Sequence, residues 1–277
     1  ICPQHGRFSP QDRVVLDAAV NERLGPSSPG GPLIVIGTQT LEQSLDIDAD
    51  LMITDLAPAD ILLQRVGRLH RHRRKRPSGY ERPRCLVLTT PGSLENALDH
   101  RGNVLGAYKR IGYGSVYEDL RTLELTIRVL TEKGEVVIPK DNRGLVEAVT
   151  HPEQLVSLSS ERWQRHAQAI QGSDLAKAIA AGSVITNFDI YFGQFEFNES
   201  GGKVAVRLGT DTLQLPLSVP IFSPFGEKIN EMLIPGHLAP SEPEDVITVE
   251  AVQPDATLLR CGDRHYRYSR YGLEAVS

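Results

Sequence analysis

Three polar side chains at spacings of four and three, Gln64, Arg68 and Arg71, stand in the stretch LLQRVGRLHRHRRKR (62–76). A guanidinium is planar, forked and always charged, so two of them converging on one point suit the oxygens of a triphosphate. In phosphoryl transfer such an arginine is worth roughly 10³–10⁵ in rate, about 4–7 kcal/mol, against about 0–1 kcal/mol for a solvated ion pair. Read as one helix at about 100° per residue, the stretch places Leu62, Val66 and Leu69 on an apolar stripe, with Gln64, Arg68 and Arg71 together on the opposite face. Gly67 sits at the edge of that face, where it costs about 1 kcal/mol relative to alanine, a hint of close approach by backbone or ligand. The plainer reading is a solvated basic helix, and these residues alone leave both readings open.

The elements that must position them read as an alternating α/β unit. Ser9 is a helix N-cap, Pro10 the first helical residue, Asp12 a first-turn acid and Gly25 the stop. The apolar runs LIVIGT (33–38), LMITD (51–55) and CLVLTT (85–90) read as strands, the first of them buried on both faces, with a helix led in by Pro58 and Asp60. That order predicts a parallel sheet whose ligands gather at the carboxyl ends of its strands. Those ends lead here into TQTLEQSLDID and DLAPADILLQR. After residue 112 the character shifts. A Ser115/Glu118 capping box opens a long helix ending at Gly134, a shorter helix is capped at Asp141, and a helical segment runs over 159–182. Short alternating runs follow at 184–192, 203–208, 213–219, 246–252 and 265–269, which predict a small β-rich module.

Charge narrows the function classes. The 277-residue chain carries −5, yet Gln64–Arg84 carries +8, so this is no uniformly basic nucleic-acid coat but a chain with one site for a polyanion. RHRRKRP, which follows Arg68, reads as an exposed loop, either touching a nucleic-acid backbone or merely solvated. The three cysteines are far apart, which suits reduced cytosolic thiols with neither zinc nor a disulfide framework. No apolar run reaches membrane-spanning length, and there are no internal repeats. His70 and His72 point apart on a helix and do not make a metal pair. Tyr108, Tyr113 and Tyr117 read as packing residues rather than base-stacking platforms.

QRVGRLHR resembles the sixth motif of superfamily 2 helicases, and IGTQTLEQSLDID their fifth. The longer wording TQTLEQSLDIDADLMITDLAPADILLQRVGRLHRH resembles the CRISPR-associated helicase-nuclease of type I systems. HGRFSPQDR, the 121–150 block, MLIPGHLAP and YRYSRYGLEAV share the likeness, densely over 5–150 and loosely beyond. The resemblance implies a partial RecA-like parallel-sheet domain (1–112), linker helices (113–150) and a small α+β accessory domain (151–277). It implies that Arg68 and Arg71 are arginine fingers on the γ-phosphate, that Gln64 lines the nucleotide cleft and that Asp46 lies by the ribose. Thr38, Gln39 and Thr40 would touch single-stranded DNA, and Glu42 and Gln43 would couple the two sites. Arg65, near the apolar stripe, is expected in a structural salt bridge.

The departures carry as much weight. GGKV (201–204) is not a P-loop, there is no D-E-x-D/H segment, and the His-Asp cluster of the family's nuclease is absent. The chain is therefore expected to be the C-terminal piece of a cytoplasmic prokaryotic enzyme. Its ATP and magnesium would need the first RecA-like half, and alone it would be inactive. The implied partners are single-stranded DNA, the N-terminal helicase-nuclease half and the crRNA-guided surveillance complex, with no membrane. The rival readings are a non-catalytic nucleic-acid-binding or regulatory module, and half of another superfamily 2 helicase.

Overall fold

The computed structural model describes residues 3–42, 45–182 and 212–276. Gln43, Cys2 and the two runs expected as strands at 184–192 and 203–208 lie outside the described residues. In chain order come β1 (Pro3–Gln4), α1 (Pro10–Leu24), β2 (Ile36–Gly37), β3 (Leu51–Asp55), α2 (Ala59–Val66) and β4 (Arg84–Leu88). Helices α3 (Gly106–Lys109), α4 (Leu120–Lys133), α5 (Asn142–Thr150), α6 (Pro152–Val156) and α7 (Glu161–Gly182) follow. Next are β5 (Leu213–Phe222), β6 (Lys228–Ile234), β7 (Thr248–Val252), β8 (Ala256–Cys261), β9 (Arg264–Ser269) and β10 (Gly272–Val276). The class is mixed α/β, as expected: β1 and β2 pair in parallel, β3 and β4 form a second small sheet, and the C-terminal strands are antiparallel. Packing divides the chain into two interleaved units. One holds 1–52, 67–84 and 210–277, the other 53–66 and 85–209.

In the first unit α1 begins as its sequence dictates. Ser9 Oγ accepts from Asp12 N at 3.2 Å, Pro10 fills the first turn, and Gly25 ends the helix with its amide on Asn21 O. Phe8 and the Leu16 face of α1 share one core with residues of β5, β6, β8 and β9, including Ile229, Met232, Leu259, Tyr266 and Tyr268. A buried polar knot crosses that core. Asp12, fully buried, accepts from Ser223 Oγ at 2.5 Å and from the Tyr268 hydroxyl, which itself accepts from Ser9 N at 3.0 Å. The run 33–38 departs from expectation. Only Ile36–Gly37 is strand, and Ile34 and Ile36 are 69% and 56% exposed. An apolar run favours a strand, but burial on both faces needs a layer over each face, and here Val35 packs inward against Val20, Leu45 and Ile47 while Ile34 and Ile36 stay exposed.

In the second unit Ala59 and Leu63 of α2 pack with Leu120, Leu123, Val149 and Trp163. Tyr113 is buried in this core, with Tyr108 and Tyr117 against it, as packing residues. Helix α4 starts four residues later than the Ser115 cap predicts. Asp119 Oδ1 accepts from Arg121 N at 2.9 Å, while Ser115 Oγ donates to Lys109 O. A second partner closes that helix end: Leu120 N donates to His166 Nε2 at 3.0 Å. With Nε2 accepting, Nδ1 carries the proton and donates to Gly102 O at 2.8 Å. Gly102 is obligatory, since its φ is +80° and a Cβ would meet His166 N at 2.3 Å. The expected cap at Asp141 sits at the right place, yet its side chain binds Val137 N and Lys133 instead of α5.

Candidate functional site

Helix α2 ends at Val66, so Arg68 and Arg71 do not lie on a helical face with Gln64. The single-helix reading of 62–76 is overturned by hydrogen bonds distant in sequence. Ala49 N donates to Arg68 O at 2.9 Å, and His70 N donates to Ala49 O at 3.0 Å, forming a parallel bridge of Leu69 with Ala49. Gly67 offers little resistance to leaving the helix. His70 takes a left-handed backbone (φ 50°), and its ring lies 3.3 Å from Asp50 O.

Beyond this bridge the basic segment is laid against a ladder of carboxylates, Asp46, Asp48 and Asp50. Asp48 is 1% exposed. Its Oδ1 accepts from Arg71 N at 2.8 Å and Arg76 Nη2 at 2.9 Å, and its Oδ2 accepts from Arg74 Nε at 2.7 Å. Asp50 Oδ1 takes Arg74 Nη2 at 2.8 Å and Arg76 Nη1 at 2.9 Å. Burial alone would push the Asp48 carboxyl up, but the hydrogen bonds from Arg76 and Arg74 outweigh it and hold the group below the usual carboxylate range. Burial likewise pulls the Arg76 guanidinium down, and Asp48 and Asp50 more than restore it, leaving it above its ordinary value. The alternation is legible after the fact: D-x-D-x-D at 46–50 faces H-x-R-x-R at 72–76. Arg76, 7% exposed, is thus an internal tie, while Arg74 ties the same carboxylates from a side chain that is 32% exposed.

The two arginines singled out for chemistry differ from these. Arg68 Nη2 donates to Glu42 O at 3.0 Å, while its Nε is buried without a partner. The Arg71 side chain is 40% exposed, and its Nε lies 2.6 Å from Asp46 Oδ1, which His72 Nε2 also approaches at 2.9 Å. The hydrogen bond from His72, followed by the charges of His72 and Arg71, holds the Asp46 carboxyl below its ordinary value. Thr38 and Gln39 are exposed at the start of a 3₁₀ turn over Gln39–Glu42, closed by Leu41 N on Thr38 O. The turn that carries Thr38, Gln39 and Thr40 is therefore tied through Glu42 O to Arg68.

Residues 1–74 match a family model described as CRISPR-associated nuclease/helicase Cas3, C-terminal. Over 171 residues, 60% of this chain, the sequence is 37% identical to the CRISPR-associated endonuclease/helicase Cas3 of Thermus thermophilus, covering 17% of it. Over 98 residues, 35% of this chain, it is 44% identical to the Escherichia coli protein of that name, covering 11% of it. A crystal structure of T. fusca Cas3 with ATP superposes with a TM-score of 0.70 at 21% identity, over 99% of this chain and 35% of that one. The chain resembles the C-terminal part of Cas3. A second neighbour, a chain from a CRISPR RNA-guided surveillance complex before nicking, has a TM-score of 0.64 at 24% identity, over 99% of this chain and 37% of that one. The chain thus spans at most 17% of these curated Cas3 relatives' length.

The Cas3-like loop brings Asp46, Arg68 and Arg71 into one braced segment together with the turn of Thr38, Gln39 and Thr40. Gln64 is exposed on α2, in the other unit. Arg65, expected in a salt bridge, donates to Thr54 Oγ1 (2.7 Å), Asp55 O (3.0 Å) and the Tyr117 hydroxyl (3.0 Å). Among the described residues no cluster of His, Cys, Asp and Glu could hold a metal ion, and no helix is long and apolar enough to cross a membrane.

Proposed function

We propose that this chain is the C-terminal portion of an ATP-dependent single-stranded DNA helicase-nuclease of type I CRISPR interference. In this reading 1–112 belongs to the second RecA-like domain, 113–150 links it onward, and 151–277 is an accessory domain. The observation that carries it is the buried Nε of Arg68, a charged donor left without a partner. Such a donor suits an anion that comes and goes with turnover. Bound ATP would supply the phosphoryl group whose transfer to water drives movement, with P-loop and magnesium ligands coming from the other RecA-like half. Arg68 and Arg71 neutralise charge on the transferred group, Asp46 lies on the nucleotide side, and Thr38, Gln39 and Thr40 hold the strand. The Arg68 bond to Glu42 O lets a change at the phosphates reach the DNA-contacting turn. The surveillance-complex neighbour supports a crRNA-guided partner, and the work would be cytoplasmic.

The ion pair of Arg71 with Asp46 favours a second reading, a nucleic-acid-binding module whose arginine is already neutralised. One experiment separates the two. ATPase activity on single-stranded DNA is measured for this chain mixed with its P-loop half, wild type against Arg68→Ala. Activity confined to the mixture, and lowered by roughly 10³-fold or more in the variant, supports the arginine-finger reading. Activity indifferent to the substitution supports the binding module.

A further inference from the structure

Asp48 differs from the other acids of the ladder because one of its partners is the backbone of a proposed finger. We infer that Asp48 is a positioning residue for the Arg71 guanidinium during nucleotide hydrolysis, an inference that rests on the reading of Arg71 given above. Its Oδ1 fixes Arg71 N at 2.8 Å. The guanidiniums of Arg74 and Arg76 hold the two carboxylate oxygens in that orientation, and Arg74 Nη2 also ties Asp48 O at 3.0 Å. One residue on, Ala49 fixes Arg68 O and His70 N. Beyond Arg71, Arg76 Nη2 donates to His72 O at 2.7 Å, so the main chain is held on both sides of Arg71, while its side chain remains 40% exposed against an Asp46 that is 51% exposed.

A guanidinium that must meet a phosphate at each turnover needs this combination of a fixed root and a releasable tip. Solvent reaches the Arg71–Asp46 pair, so exchanging one anion for another is cheap there. The Asp48 bonds are buried and stay made. The nine cations of 64–84 then fall into different jobs: Arg74 and Arg76 fix the carboxylate, the carboxylate fixes the peptide of Arg71, and Arg71 acts.

The test uses the assembled enzyme, this chain with its P-loop half, and compares Asp48→Glu, Asp48→Asn and Arg71→Ala. Asp48→Asn strips the charge facing two guanidiniums and can unfold the loop, so Asp48→Glu, which keeps the charge but displaces the carboxylate by one methylene, is decisive. A displacement of about 1 Å at Arg71 lowers kcat by up to about 10²-fold per folded molecule, with KM for ATP unchanged. In the 277-residue chain the Arg71 amide then exchanges its proton faster than in wild type, while the Ala49 amide keeps its protection. A merely structural Asp48 would instead lower the melting temperature and leave kcat per folded molecule alone. If Arg71→Ala abolishes hydrolysis while Asp48→Glu folds with wild-type kcat, the positioning role is overturned and the finger stands. If Arg71→Ala leaves hydrolysis intact, the finger reading itself fails.

Discussion

Protonating His166 should unlatch the start of α4. The ring is 2% exposed, and it is neutral by necessity, because Nε2 accepts the Leu120 amide while Nδ1 donates to Gly102 O. Burial is the main cause that holds its pKa below the ordinary value. A proton on Nε2 would set two donors against each other at 3.0 Å. The sign follows from linkage. With a lowered folded pKa, the stabilisation is complete above the unfolded value of about 6.5 and is lost as pH falls below it, at up to about 1.4 kcal/mol per pH unit. His166→Leu should remove that dependence. At pH 7.5 it should also cost about 2–6 kcal/mol, since the Leu120 amide and the Gly102 carbonyl are each left without a buried partner, at about 1–3 kcal/mol apiece. The single tryptophan, Trp163, lies 6.0 Å from His166 ring to ring, so urea titrations followed by its fluorescence report this unit directly. Equal pH slopes for wild type and His166→Leu between pH 7.5 and 5.5 would refute the assigned tautomer and the latch.

Other parts of the molecule give equally direct expectations. Tyr268→Phe should cost about 1–3 kcal/mol by depriving Ser9 N and Asp12 of a partner, and a cycle with Asp12→Ala, read by urea midpoints, should be strongly non-additive. Arg76→Met breaks a pair whose members are 7% and 1% exposed and should cost about 3–5 kcal/mol, whereas Arg143→Met, on an exposed pair with Glu147, should leave the midpoint unchanged. Burial pushes Tyr266 up to about 12. Its stabilisation is therefore complete below the unfolded value of about 10 and fades as pH rises from there toward about 12, a slope that Tyr266→Phe should flatten in alkaline melts.

What could be read from the sequence was what short-range chemistry decides. Ser9, Pro10 and Gly25 frame α1, and Gly134 ends α4, because caps depend on neighbours within a few residues. The alternation at 265–269 gave β9 with Tyr266 and Tyr268 turned inward. Failures came where a distant partner outbid a local preference. The periodicity of 62–76 fits a helix well, yet Ala49 captures Arg68 O and His70 N and draws the chain out after Val66. Ser115 has the better cap signature, but Asp119 and His166 together satisfy the amides that open α4. Of the candidate residues, Arg71 and Asp46 meet in an ion pair and Arg68 reaches Glu42 O. The division of labour among the cations was not legible, because only the fold shows which of them face Asp48.

The knot of Asp12, Ser223 and Tyr268 bears on how such a chain is made. Asp12 and Tyr268 are 256 residues apart, and Phe8 and Leu16 share a core with β6 and β9. At about 5–20 residues per second, a ribosome takes roughly 10–50 s to travel from one to the other. During that interval the first helix has emerged with its apolar face and its carboxylate uncovered, and the unit bearing the Arg68–Arg76 loop cannot close. That unit therefore closes only once Tyr268 has been made, and a ribosome stalled anywhere between Asp12 and Tyr268 leaves α1 uncovered.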